Sequence, residues 1–393
     1  MTTNTNQEKI TALLERRVAE VIIKDELAKK LASARPLRIK LGIDPTGSLL
    51  HLGHLVVLKK LRDFQNLGHQ VIFLIGDFTA RIGDPTGRSV ERKPLSDEAI
   101  ATNMKDYVAQ ASLILDMSKV EIRYNSEWLN KLDFKDLIEL TSKVTYAQVA
   151  QRADFKKRIS AEADITLQEF MYPVMQGYDS VALEADVEIG GTDQKFNLLM
   201  GRQLQKRYNQ AEQDVVTCPL LEGLAGTDKM SKSLNNYIGL GEAPAEIYGK
   251  VMSIGDDLIE QYYTLCTDVP LVDISEMITA MKQGTNPRDF KMKLAYTIVH
   301  DLHGQDSAES AQNNFISVVQ QKSAPTEMKE VPGATILEAA VNYFGATKSK
   351  ADIKRLVAQS AVSVNDIKID NFDSPVVKGD VVQMGKRDWF KIE

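Results

Sequence analysis

Apolar positions in the first part of the chain recur with two different periods. Ile10, Leu13, Leu14, Val18, Val21, Ile22 and Leu27 follow near-helical spacing and predict one helix over 7–33, ended by Arg35 and Pro36. LRIKLGI at 37–43 reads as a first strand, and the turn DPTGS follows it. Helical spacing then resumes from about 51 to 67 and stops at Gly68. QVIFLIG at 70–76 is almost wholly apolar, as expected of a strand covered on both faces. Strand, helix and strand in so short a stretch predict a right-handed βαβ unit.

Residues 95–165 are polar and mostly helical in pattern, which suggests an insertion between two halves of a sheet. A helix over 166–182, a short strand ADVEIGG, a helix over 193–207 and a last strand at 214–221 follow. The pattern is helical from 243 to 304 and weakens over 305–333, where Gln, Ser, Lys and Pro suggest a linker. The remainder reads as two helices and then short strands, SVNDIKI and DVVQMG, joined by glycine turns.

Composition changes this picture only modestly. A chain of 393 residues exceeds one typical core, so two or three domains are expected. A hydrophobic share of 43% with 26% charged residues is that of a globular protein. No run of eighteen apolar residues exists, so no membrane association is expected. The start, MTTNTNQEKITALLERR, lacks a secretory apolar stretch. Cys218 and Cys266 make neither a disulfide framework nor a zinc site, and the cytoplasm is the simplest expected compartment. The net charge of -6 does not exclude an RNA partner, because local patches matter more than the total.

Two motifs carry the chemistry. HLGH at 51–54 places His51 and His54 on one face at a helix start, where free amides and the helix dipole favour phosphate. Gly53 permits close approach of a nucleotide, and Thr46 in the preceding turn offers a hydroxyl. A chance pairing remains open for HxxH alone, and a metal reading lacks a third ligand. KMSKS at 229–233 puts Lys229 and Lys232 on a polar loop that reads as mobile, suited to β- and γ-phosphates; taken alone it is equally a solvated lysine loop. Ser231 and Ser233 are hydroxyl donors or turn residues. Together the motifs predict two halves of one ATP site, in an enzyme that activates a carboxylic acid.

The segment GDFTARIGDPTGRS lacks Walker spacing. Its Asp84 either pairs with an amino group or forms an Asp-Pro turn, and Arg88 and Arg92 face phosphate, RNA or solvent. Tyr172, Gln176 and Asp179 at i, i+4 and i+7 share one helix face, which suits a small ligand with an ammonium and a hydroxyl, or else forms a half-exposed helix edge. Pro173 is compatible with this helix if it lies near the first turn. In EIGGTDQ, Gly191 permits close backbone approach, Asp193 holds ribose hydroxyls or caps a helix, and Gln194 lines the amino-acid pocket.

HLGH, KMSKS, LGIDPTG, GDPTGRS, YPVMQGYD and GGTDQ together resemble the bacterial tyrosine–tRNA ligases, which are class I aminoacyl-tRNA synthetases, over nearly the whole chain. The resemblance implies formation of tyrosyl-adenylate from L-tyrosine and ATP, then transfer of the tyrosyl group to the terminal adenosine of tRNA(Tyr). It implies that Thr46, His51, His54, Lys229 and Lys232 stabilise phosphates, and that Asp84, Tyr172 and Gln176 hold the ammonium. Asp179 would bond the phenol, Gly191 and Asp193 would contact ribose, and Asp44 and Gln194 would place the reacting groups. It also implies Mg2+ accompanying ATP, and a homodimer with one tRNA spanning both subunits. Lys40 stands where some members carry a tyrosine that contacts the substrate hydroxyl, which puts that contact in doubt.

Residues 334–393 resemble an S4-type RNA-binding domain, with SKADIKRLVAQSAVSVNDIKI as the matching stretch. Nine Lys/Arg against eight Asp/Glu over 331–393 give only +1. Lys348, Lys350, Lys354 and Arg355 cluster about one short helix, with Lys386 and Arg387 in the final strand pair; as charges alone they also fit a solvated surface.

The expected class is thus α/β. A Rossmann-like parallel-sheet aminoacylation domain with a helical insertion spans 1–225, a helical anticodon-side domain with the lysine loop and linker spans 226–330, and a small α+β S4-like unit spans 331–393. A tryptophan ligase, a nucleotidyltransferase sharing HxGH, or an RNA-binding relative without catalysis are the rivals. Intact HLGH and KMSKS speak against the last.

Overall fold

The amino-terminal segment does not form the single helix that its spacing predicts. Helix α1 (Gln7–Glu15), capped by the Asn6 side chain, gives way to a short strand β1 (Glu20–Ile22) and then α2 (Lys24–Ala32). The reason is tertiary. Arg17, with φ 57°, is buried; it donates to the Leu265 carbonyl at 2.9 Å and pairs with Asp63 at 3.2 Å and Asp268 at 2.5 Å. This corner turns the chain so that β-branched Val21 and Ile22 join a sheet edge.

The computed structural model describes residues 3–86, 96–317, 328–345, 347–365, 367–385 and 388–393. They fall into two compact units, Met1–Ala243 with Lys250–His303, and Pro244–Gly249 with Gly304–Glu393.

In the first unit, β2 (Arg38–Ile43), α3 (Leu52–Asn66) and β3 (Gln70–Ile75) form the expected βαβ. Gly68, at φ 84°, makes the turn after α3. The polar stretch that follows is not purely helical. After α4 (Asp97–Ala111), β4 (Val120–Tyr124) pairs parallel to β3 at the sheet edge. Its sequence VEIRY is half-buried throughout, so it shows no apolar run. Short helices α5 (Ser126–Leu129), α6 (Phe134–Ser142), α7 (Tyr146–Val149) and α8 (Ala153–Ser160) lead to α9 (Leu167–Ala182). Pro173 lies in the second turn of α9, not the first, where it lacks the amide that would bond Glu169. β5 (Val187–Gly191), α10 (Lys195–Arg207) and β6 (Asp214–Cys218) complete the sheet, with order β1-β6-β5-β2-β3-β4 and only β1 antiparallel. Strand order reverses between β2 and β5, where open α/β sheets collect ligands at the carboxyl ends of their strands.

Helices α11 (Pro244–Met252), α12 (Ile259–Cys266), α13 (Leu271–Lys282) and α14 (Pro287–His303) follow. Two lysines of α3 are fully buried. Lys59 pairs with Asp268 at 3.1 Å and Asp301 at 2.7 Å, and Lys60 donates to the Leu13 carbonyl. A network of buried charges therefore fixes the helix that begins with HLGH.

In the second unit, the stretch read as a linker carries α15 (Gln305–Phe315) and β7 (Lys329–Val331). After α16 (Ile336–Phe344) and α17 (Lys350–Ala358), strands β8 (Val362–Val364), β9 (Ile367–Lys368), β10 (Val381–Met384) and β11 (Asp388–Ile392) form a sheet of order β7-β11-β10-β8-β9. Ile336, Phe344, Ile353, Val382 and Phe390 pack its core.

Candidate active site

The segments flagged by the sequence converge on one cavity of about 350 Å³ at the β2/β5 switch point. Asp44, Thr46, His51, Gly53, His54, Asp84, Tyr172, Gln176, Asp179, Gly191, Asp193, Gln194 and Lys229 all line it. Lys232 stands beside it, with Nζ 3.3 Å from the Tyr107 hydroxyl.

His51 caps α3 and His54 closes a capping box. The Gly53 amide donates to His51 Nδ1 at 3.1 Å, and the His51 amide donates to His54 Nδ1 at 3.2 Å. Both Nδ1 atoms are therefore acceptors, and the network assigns the ring protons to Nε2. Burial, with Lys232 and Lys229 nearby, lowers the His51 pKa to about 3. Burial also holds His54 well below the ordinary imidazole value. The pair thus offers two neutral N–H donors. Gly53 serves the ring: a Cβ there would lie 2.9 Å from His51 Cε1.

The lysine loop is held in place. Its backbone bonds Met230 to Leu221 and Gly223 to Asp228, Asn236 Oδ1 accepts from the Ser231 amide at 2.8 Å, and the Ser231 and Ser233 hydroxyls lie 3.1 Å apart. Lys229 Nζ meets Asp193 Oδ2 at 2.6 Å. Asp193 lies in a one-turn 3-10 helix, Thr192–Gln194, and Gln194 holds the N-cap position of α10, so the Asp193 helix-cap reading fails. A Cβ on Gly191 would sit 2.6 Å from the Asp193 carboxylate, so a side chain there would have to displace it.

At the other end, Asp44 accepts from Thr79 at 2.7 Å and from the Tyr172 hydroxyl at 2.9 Å. Burial pushes Asp44 up to about 7 against those bonds, and it raises the Tyr172 phenol well above its usual value. Asp84 accepts from Gln194 Nε2 at 2.6 Å and Arg152 at 3.2 Å, and it also closes the turn by accepting from the Thr86 amide at 2.9 Å. Gln176 Oε1 is buried and meets no hydrogen-bond donor among the described residues, an acceptor suited to an incoming ammonium. Asp179, 2% exposed, accepts from Trp128 Nε1 at 2.8 Å and Asn125 Nδ2 at 3.3 Å. Its pKa is pushed up to about 7 by burial, opposed first by Lys40.

The family model for tRNA synthetases class I (W and Y) matches residues 32–320. Tyrosine–tRNA ligase of Carboxydothermus hydrogenoformans is 48% identical, covering 97% of this chain and 96% of its own. That of Thermotoga maritima is 46% identical over 98% and 97%. The chain belongs to the tyrosine–tRNA ligase family. Among solved structures, tyrosyl-tRNA synthetase from Archaeoglobus fulgidus, complexed with L-tyrosine, shares the fold at 21% identity and TM-score 0.63, covering 78% of this chain and 100% of that one. A truncated mitochondrial tyrosyl-tRNA synthetase from Aspergillus nidulans gives 23% identity and TM-score 0.67 over 78% and 93%.

In this tyrosine–tRNA ligase-family chain, sequence reasoning missed four cavity-supporting residues. Asn125 and Trp128 hold Asp179, Arg152 (4% exposed) holds Asp84, and Thr79 holds Asp44. Reading VEIRY as a strand would have put Asn125 and Trp128 just past its carboxyl end. In the second unit, Lys348 pairs with Asp388 at 2.7 Å, Arg355 pairs with Asp352 at 2.9 Å, and Lys354 lies over the Phe372 ring. Lys350 opens α17. Arg88, Arg92, Lys386 and Arg387 lie outside the described residues.

Proposed function

We propose that this cavity performs both steps of tyrosine–tRNA ligation. L-Tyrosine enters with its ammonium toward Asp84, Tyr172 and Gln176 and its phenol toward Asp179. Its carboxylate oxygen attacks the α-phosphorus of ATP, the bond to the β-phosphate oxygen breaks, and pyrophosphate leaves. A ribose hydroxyl of the terminal adenosine of tRNA(Tyr) then attacks the tyrosyl carbonyl, and AMP leaves. No protein nucleophile is required; alignment and charge stabilisation supply the catalysis. Thr46, the Nε2–H donors of His51 and His54, and Lys229 and Lys232 act on the triphosphate, while Gly191 and Asp193 receive the ribose. Asp44 and Gln194 align the reacting groups. Convergence of HLGH, the lysine loop and the Tyr172–Asp179 face on one cavity carries this reading. Tyrosine-dependent exchange of pyrophosphate into ATP tests it, and no exchange with tyrosine would end it.

Mg2+ is proposed to arrive with ATP, held chiefly through its phosphates. Among the described residues no group of three or more His, Cys, Asp or Glu is arranged to hold a metal ion. A homodimer is proposed on the apolar face beside a second cavity, of about 460 Å³, lined in part by Val144, Val149, Ile165 and Phe170. Phe134 at 77% exposure and Leu167 at 85% would otherwise face water. Sedimentation of the native protein against Leu167→Glu tests it. The functional division is proposed as 1–225 for aminoacylation, 226–330 for the anticodon side and 331–393 as an S4-like RNA-binding unit, whose Lys348, Lys350, Lys354, Arg355, Lys386 and Arg387 would meet RNA phosphate. The cytoplasm is the proposed compartment; no helix among the described residues is long and apolar enough to cross a membrane.

A further inference from the structure

Lys40 lies midway along β2 with 0% exposure and borders the cavity. Its ammonium has three acceptors: Glu188 Oε1 on β5 at 2.9 Å, Ser180 Oγ at 2.9 Å and the Gln176 carbonyl at 3.2 Å. The last two lie four residues apart on α9 and bracket Asp179. Glu188 in turn accepts from Ser180 Oγ at 3.0 Å and Gln213 Nε2 at 2.6 Å. The buried pair is thus fully bonded. Stability alone does not call for it, because a well-packed apolar pair often serves as well.

What the ammonium does is local. It fastens the α9 turn that bears Gln176 and Asp179 to two strands at once, and it sets a positive charge near Asp179. The other groups about Asp179 are the neutral donors Trp128 and Asn125, the Glu188 carboxylate from β5, Asp44 just past β2 and the Tyr172 phenol on α9. Among the described residues, Lys40 is the cation whose charge acts on Asp179. With its three N–H groups committed inward, it does not replace a tyrosine as a second donor to the substrate.

We propose that Lys40 is a specificity-determining positioning residue that keeps Asp179 an ionised acceptor for the phenolic hydroxyl. The assignment rests on the tyrosine reading of the cavity. The direction of the Asp179 pKa agrees: burial raises it, and Lys40 is the first influence that lowers it.

The test is pyrophosphate exchange by the full-length protein with tyrosine and with phenylalanine, between about pH 6 and 9. Exchange by the native protein first establishes the ligase reading, so failure of that reading is seen separately. Lys40→Met keeps the aliphatic stem and removes the charge. At pH 7 it should raise the tyrosine KM about fivefold, the fall in ionised fraction when the Asp179 pKa moves one unit up from about 7. The loss should shrink at higher pH, the tyrosine-over-phenylalanine ratio should fall, and the ATP KM should stay within about twofold. The double variant K40M/E188Q removes the carboxylate that Lys40→Met strands and should fold where the single one does not. It too should lose discrimination, with a smaller shift in pH profile. A folded variant with the native pH profile and native discrimination would overturn the proposal. So would a pH-independent rise in both KM values, or failure of both variants to fold.

Discussion

Lys229 Nζ lies 2.6 Å from Asp193 Oδ2, so the first lysine of the loop is engaged by the carboxylate proposed to hold ribose. The side chains are 45% and 26% exposed, and a pair so open to water is screened and readily exchanged. ATP would draw the ammonium to its phosphates and release the carboxylate to its ribose. Asp193→Asn should raise the ATP KM about tenfold, the worth of one charge-assisted hydrogen bond. The tyrosine KM should not move. Exchange assays with ATP varied check this, and a change confined to tyrosine would refute it.

His51→Asn separates capping from catalysis. Asparagine still caps α3 but has no donor at the Nε2 position. The melting temperature should stay near native while the adenylation step slows about 10²-fold or more, as when one transition-state donor is removed. Lys232→Ala should slow the same step and leave tyrosine affinity almost unchanged. Because the pKa of His51 is lowered to about 3, the native rate should show no histidine titration between about pH 5 and 8. Rapid-quench measurement of adenylate formation resolves all three.

Asp179→Asn should trade function for stability. The raised pKa, about 7, means the folded protein binds this proton more tightly than the unfolded chain. The group therefore destabilises the empty protein as pH rises from the ordinary carboxylate range through 7. Its removal should raise the melting temperature at pH 7 by about 2–4 °C and do less near pH 4. The same change should erode rejection of phenylalanine. Enzymes of this type are themselves the reference case for such rejection, at about 10⁵. Calorimetry and paired exchange assays test the two halves separately.

Asp268→Ala should act on acid stability. Burial alone would raise the Asp268 pKa, but Lys59, Arg17 and Arg62 together hold it far below the ordinary carboxylate range. A depressed pKa gives stability that is complete above the unfolded value, about 3.9, and is lost as pH falls through the folded one. The variant should melt a few degrees lower at neutral pH, with the gap narrowing below about pH 4. Melting curves across that range decide it.

Local signals carried the phosphate end. HLGH needs only a helix start, and the structure places His51 as its cap. The βαβ unit was equally plain, because Val71–Ile75 are all buried and therefore all apolar. The floor of the amino-acid pocket was legible only where it lies on one helix, as with Tyr172, Gln176 and Asp179. Asn125, Trp128 and Arg152 reach it from separate elements, and no spacing links them. The same holds for the α1–α2 break: its cause is Arg17 meeting Asp268, far off in sequence. Nor does spacing show that Lys59 and Lys60 are buried, because their acidic and carbonyl partners arrive from distant segments.

β1 is three residues long, yet it covers the rim of the main sheet, with Glu20–Ile22 bonded against Val215–Thr217. Trimming the chain to Lys24 would bare the amides and carbonyls of β6 along that margin. An uncovered strand margin is adhesive to any other extended peptide. Shortened versions of this protein would therefore be expected to clump, even with every cavity residue present.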